Sequence, residues 1–161
     1  MYDIGFIGTT NPTEDSIATL LGELNMHIYG SKEYLKKFKN VDDFEWITYK
    51  RKDQADTDFV VNTFFQNPNI IISSNSYQDA HAFVSSGNGV TFLTDLYGDN
   101  DPRLVAFKKE EYSFKIGFYL VQHELSRSNP IVRAVKQMVL ENIEELLQGT
   151  NFVTASNLKK N

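Results

Sequence analysis

The chain of 161 residues has no cysteine, which rules out disulfides and thiol catalysis and suits a reducing compartment such as the cytoplasm. No apolar run approaches the ~20 residues needed to span a bilayer, and Met1-Tyr2-Asp3 lacks the basic start of a secretory leader. Neither a membrane partner nor a signal peptide is therefore expected. Basic charge is not in excess either. The net charge is −5, so direct nucleic-acid binding by this chain is not indicated. The basic cluster Lys36-Lys37-Phe38-Lys39 reads as a solvated helix end, where cations are favoured. Repeats and low-complexity tracts are missing as well.

Signatures of catalysis are equally sparse. His27, His81 and His123 lie far apart without metal-ligand spacing, and they read as surface or hydrogen-bonded histidines. His27 alternates with Met26 and Ile28 and is expected on the polar side of a strand. Gly87-Asn88-Gly89 lacks the spacing and the Lys-Ser/Thr pair of a phosphate loop. Asp99, Asp101, Glu110 and Glu111 lack the EF-hand pattern and read as solvated turn charge. The serines have no evident base and orienting acid. No catalytic residue, metal or cofactor is assigned, and the chain does not read as an enzyme.

What is present is a foldable α/β pattern. At 41% hydrophobic and 13% aromatic the chain can bury a core, as one domain or as two small lobes. Strand signals occur at Tyr2–Gly8, Leu24–Tyr29, Trp46–Tyr49, Ile70–Ile72, Val90–Leu93, Leu104–Phe107 and Phe114–Val121. Helix signals occur after Ser31, over Phe59–Phe65, after Ser76 and after Asn129. Alternation of this kind argues for layered α/β structure. Residues 13–22 are ambiguous, because Ile17, Leu20 and Leu21 after Thr13-Glu14-Asp15-Ser16 have helical periodicity. The last helix carries Val132, Val135, Val139, Ile143 and Leu146 on one stripe, with Asn129 as N-cap, Pro130 at the first position and Gly149 to close it.

The most informative stretch runs from Asn75 to Leu93. Ser76 and Asp79 have capping-box spacing, and Tyr77, Ala80, Phe83 and Val84 share a helical face. Gly87 can close that helix in a left-handed conformation, and Gly89 turns the chain into the next strand. A helix N-terminus following a strand is a natural site for anions or carbonyl oxygens.

This stretch resembles the effector-binding domain of LysR-type transcriptional regulators. Four other segments agree in order: Asp3-Ile4-Gly5-Phe6; Met26 to Leu35, with Ser31-Lys32-Glu33-Tyr34-Leu35; Phe44 to Tyr49; and Phe118 to His123 leading to Asn129-Pro130. Together they cover roughly residues 3–147. The resemblance implies a type 2 periplasmic-binding-protein-like bilobal α/β fold over residues 1–149. A second lobe, about 29–94, would be complete, and a first lobe, about 1–28 and 95–149, partial, followed by a polar tail at 150–161. It also implies an extended segment from about Ala18 in place of a helix. The family's helix-turn-helix has no counterpart before Asp3, so DNA binding is not carried over. Open sheet edges in a partial lobe would favour a homo-oligomer or pairing with a related regulator chain.

The implied function is small-molecule sensing. The resemblance places Thr9, Thr10, Ser31, Asn75, Ser76, Tyr77 and Thr94 around a cleft that takes a small organic acid or other polar metabolite. Two alternatives share parts of the pattern. One is a stand-alone interaction module that pairs with a full-length regulator, and the other is a solute-binding protein.

Overall fold

The structure, a computed structural model, describes residues 3–9, 12, 16–50, 57–147 and 153–158. In chain order the elements are β1 (Ile4–Thr9), β2 (Ser16–Ser31), α1 (Lys32–Leu35), β3 (Glu45–Tyr49), α2 (Thr57–Phe64) and β4 (Asn69–Ser74). They continue with α3 (Tyr77–Ser85), β5 (Val90–Thr94), α4 (Asp95–Gly98), β6 (Leu104–Phe107), β7 (Ser113–His123), α5 (Pro130–Leu146), β8 (Val153–Thr154) and α6 (Ala155–Leu158). No helix among the described residues is long and apolar enough to cross a membrane.

Two compact units form. One comprises Met1–Leu24 with Lys115–Asn161, and the other comprises Asn25–Phe114. Residues 95–114, assigned by the sequence reading to the first lobe, belong to the second unit. The reason is strand pairing: Leu104–Phe107 lies antiparallel to Ile28–Ser31 and adds an edge to that unit's sheet.

In the first unit β1 runs antiparallel to β7, from Ile4 opposite Gln122 to Thr9 opposite Gly117. Helix α5 buries Val132, Val139 and Ile143, and the last two meet Leu21 and Leu120 in one cluster. Asn129 caps the helix by accepting a hydrogen bond from the Ile131 amide at 2.9 Å, and Pro130 stands in the first turn, where a missing N–H costs nothing. Gly149 and the Leu146 side chain lie outside the described residues. Residues 16–22 are extended, part of the 16-residue strand β2. The helical periodicity there loses because Leu21 and Leu24 are buried as strand residues. Within the polar tail, Val153 and Thr154 pair with Glu23 and Gly22.

In the second unit β2 pairs with β5 over Met26–Gly30 and with β6 on its other edge. β3 is parallel to β4, and it is parallel to β5 at Trp46 and Val90. Alternation along the strands sends Tyr29, Ile47, Tyr49 and Leu93 to one face, where Ala80 and Val84 of α3 cover them. An aromatic set forms elsewhere in the unit. Trp46 lies 5.6 Å from Phe92 and 4.9 Å from Phe65, and Phe44 meets Phe107 at 4.9 Å. Such ring pairs add about 0.5–1.5 kcal/mol each beyond their buried area. Gly87 and Gly89 have φ of 93° and 71°, the left-handed conformations that join α3 to β5.

Candidate ligand-binding site

The N-terminus of α3 is built by short polar side chains. Ser76 takes the extended N-cap conformation, and its Oγ accepts from the Asp79 amide at 3.3 Å. Ser74 Oγ accepts from the Ser76 amide at 3.0 Å and donates to Asp79 Oδ2 at 3.2 Å. Asn75 is exposed between them. One hydroxyl cap satisfies one of the four amides that a helix start leaves open, so partial positive charge remains available there.

Tyr77 opens the helix. Its ring stands edge-on to Tyr49 at 5.2 Å and tilted against Tyr97 at 4.8 Å. Its hydroxyl is buried without a hydrogen-bond partner, and so is Thr94 Oγ1. Burial pushes the Tyr77 phenol well above its ordinary range, Tyr49 and Tyr97 push the same way, and the nearby Thr94 hydroxyl opposes them. Thr94 thus lies close enough to perturb the phenol, yet no hydrogen bond of good geometry satisfies either oxygen. A buried polar group left in this state costs about 1–3 kcal/mol.

Within the second unit the expected site residues fall in two places. Asn75, Ser76 and Tyr77 are neighbours in sequence, and the fold brings Thr94 to Tyr77. Ser31 is buried and occupied elsewhere, because its Oγ accepts from the Tyr34 amide at 3.1 Å and caps α1. Thr9 is buried at the end of β1 in the other unit. Thr10 lies outside the described residues.

A second polar cluster escapes the sequence reading. Tyr29 Oη lies 2.9 Å from Asp95 Oδ1 and 2.7 Å from Asp99 Oδ1. His27 Nε2 lies 3.3 Å from Asp95, and Lys109 Nζ lies 2.7 Å from Asp99 and 3.5 Å from Asp95. One phenolic proton cannot serve two carboxylates, so Lys109, which reaches both, is needed to balance them. Burial pulls Asp99 upward, but Lys109 and Tyr29 outweigh it and hold the carboxyl below its ordinary range. Burial, then the bonds to Asp99 and Asp95, pushes Tyr29 far up. Two spacings carry the signal. His27 and Tyr29 share a strand face, and Asp95 and Asp99 share a helix face. His27 is buried against Asp95, not on an open polar side, because α4 brings that carboxylate to it.

The acidic residues at 99–111 also divide. Glu110 and Glu111 are exposed, whereas Asp101 is buried against His81 and Arg103. No group of three or more His, Cys, Asp or Glu among the described residues is arranged to hold a metal ion.

Comparison with known proteins gives the family and the fold. The family model described as the LysR substrate binding domain matches residues 1–144. The CrgA regulatory domain of Neisseria meningitidis, a LysR-type transcriptional regulator, is similar at 19% identity and a TM-score of 0.65, covering 87% of this chain and 74% of that one. The bromide-bound regulatory domain of HypT from Salmonella typhimurium is similar at 13% identity and 0.66, covering 90% and 73%. Against full-length AphB, a virulence activator of Vibrio cholerae, identity is 15% and the TM-score 0.60, over 87% of this chain and 51% of AphB. These identities establish a shared type 2 periplasmic-binding-protein-like α/β fold. No curated protein matches at a significant level.

Proposed function

Because the chain belongs to the LysR substrate-binding domain family, and so is an effector-binding regulatory domain of LysR type, we propose that it senses a small organic acid or similar polar metabolite at the N-terminus of α3. The observation that carries this reading is the pair of buried, unpartnered oxygens, Tyr77 Oη and Thr94 Oγ1, with Tyr77 the first residue of the helix that Ser76 caps. A structural core would tend to satisfy or replace such groups, whereas a binding site keeps them for a ligand. An acid bound there gains two hydroxyl partners and the positive end of a nine-residue helix. Asn75 adds an exposed amide at the rim. The cytoplasm is the proposed place of action, with a second copy or a related regulator chain as partner.

Thermal-shift screening of small organic acids tests the reading. A ligand at a hundredfold excess over its dissociation constant should stabilise the fold by about 2.7 kcal/mol. Tyr77→Phe combined with Thr94→Val should weaken that ligand by about tenfold or more, as loss of one or two hydrogen bonds requires. A ligand whose affinity survives the double substitution binds elsewhere.

A further inference from the structure

The second unit carries a separate hollow of about 400 Å³, lined by His81, Leu96, Tyr97, Asn100, Pro102 and Arg103 around Asp101. Its volume is within the ~300–1,000 Å³ usual for small-molecule sites. Asp101 is the fixed point. Its side chain is only 7% exposed, while that of Arg103 is 63% exposed. Arg103 Nε and its backbone amide donate to Asp101 Oδ1 at 2.9 and 3.0 Å, and Arg103 Nη2 donates to Oδ2 at 2.7 Å. His81 Nε2 lies 3.0 Å from the same Oδ2. Both carboxylate oxygens are thus spent on cations or donors, and the guanidinium is held in one orientation although it stands at the surface.

The arrangement selects a charge sign. An incoming amine finds no accessible lone pair on Asp101, because the carboxylate is buried and engaged. An incoming anion finds the remaining N–H groups of Arg103, whose planar fork is already immobilised, so little side-chain entropy is lost on binding. The Asp101 charge offsets that of Arg103, which disfavours a dianion such as phosphate, so the remaining N–H donors rather than net charge would hold the ligand. Part of the wall is apolar: Leu96, Pro102 and the half-exposed ring of Tyr97. Asn100 donates its side-chain amide to the Leu96 carbonyl at 2.7 Å, which pins that wall.

We propose that this hollow is a second ligand site, separate from the Tyr77–Thr94 hydroxyls, that takes a small planar monocarboxylate with its ring against Tyr97 and its carboxylate on the outer edge of Arg103. Tyr97 also packs on Tyr77, so an occupant would touch a ring in contact with the first site.

Protein-observed NMR on the whole chain decides it, with benzoate and cinnamate as probes, benzamide as the uncharged control and acetate as the ringless one. Saturable shifts through the millimolar range are expected at Tyr97, Asn100 and the Arg103 Nε–H. Benzamide and acetate should bind at least about tenfold more weakly, the worth of one charge-assisted contact or one ring contact. Arg103→Gln and Tyr97→Leu should each weaken benzoate by a similar factor. Tyr97→Leu leaves the Asp101–Arg103 ion pair in place, so it answers even where Arg103→Gln disturbs the turn. Shifts confined to residues 97–103, with the Ser76–Asp79 amides unmoved, separate this site from the first. Absence of saturation, benzamide binding as tightly as benzoate, or shifts centred on Ser76–Asp79 would each overturn the proposal.

Discussion

Tyr77 carries two opposing demands on a single oxygen. Its ring fills the space between Tyr49 and Tyr97, whereas its hydroxyl is buried and unpaired. Tyr77→Phe keeps the first contribution and removes the second. The ligand-free protein should therefore be equally stable or about 1 kcal/mol more stable, since the uncompensated desolvation disappears. Urea denaturation measures this, and a loss of more than about 1 kcal/mol would mean that the hydroxyl has a partner after all. Asp101 makes a contrasting case. Arg103 holds its carboxyl well below the ordinary carboxylate range, with burial opposing and His81 assisting. A depressed folded-state pKa stabilises above the unfolded value of about 3.9 and is lost as pH falls toward the folded value. Melting temperature should thus drop through that acid window in the parent. The drop should be shallower in Asp101→Asn, measured as the difference between pH 7 and pH 3.

At the scale of elements, the junction between α3 and β5 leaves no room for a side chain at Gly89. A Cβ added at Gly89 would lie 2.5 Å from the Glu45 carbonyl oxygen, and φ there is 71°. Backbone cannot yield as a flexible side chain can, so Gly89→Ala should cost more than the ~1–2 kcal/mol of a left-handed non-glycine residue alone. Gly87→Ala, whose added Cβ meets only Ser31 Oγ at 3.7 Å, should remain near that figure. Comparing the two by chemical denaturation separates steric from conformational cost.

Features of this kind were legible because they are local. Ser31, Ser76 and Asn129 cap the helices that follow them, and Gly87 and Gly89 turn as their sequence context requires. What stayed illegible depends on distant residues. The meeting of Tyr77 with Thr94, of Tyr29 with Asp95 and Asp99, and of His81 with Asp101 follows from sheet order and from the return of residues 95–109 across the second unit. Strand propensity contains no term for that return. The helical periodicity at 17–21 failed for the same reason, since burial within a sheet decided it.

For the molecule as a whole, the exposed face of α5 bears on association. Ile131 is 73% exposed and Met138 55% exposed, one heptad apart on the helix, with the exposed Ala134 between them. Contiguous apolar surface of this kind marks contact sites. Sedimentation from low to high micromolar concentration should show self-association. Ile131→Lys with Met138→Lys should shift it toward the monomer without lowering the unfolding midpoint, because neither side chain is in the core. A monomer at every concentration in the parent would refute this.

The division of the chain into units also sets an order of events during folding. Residues 25–114 are continuous, so every partner needed by β3, β4 and β5 is present once that segment has been synthesised. Strand β1 is in the opposite position. Its hydrogen-bonding partners begin at Gly117, at the far side of the inserted unit, and it must wait for them. Contacts so remote in sequence close slowly and late. Folding of the continuous unit shortens that wait by drawing its own two ends into one compact body. In a pulse-labelled refolding experiment, amides of Trp46–Tyr49 and Val90–Thr94 should gain protection before those of Ile4–Thr9. An apolar strand that waits for its partner is also the segment most open to capture by a chaperone or by another nascent chain.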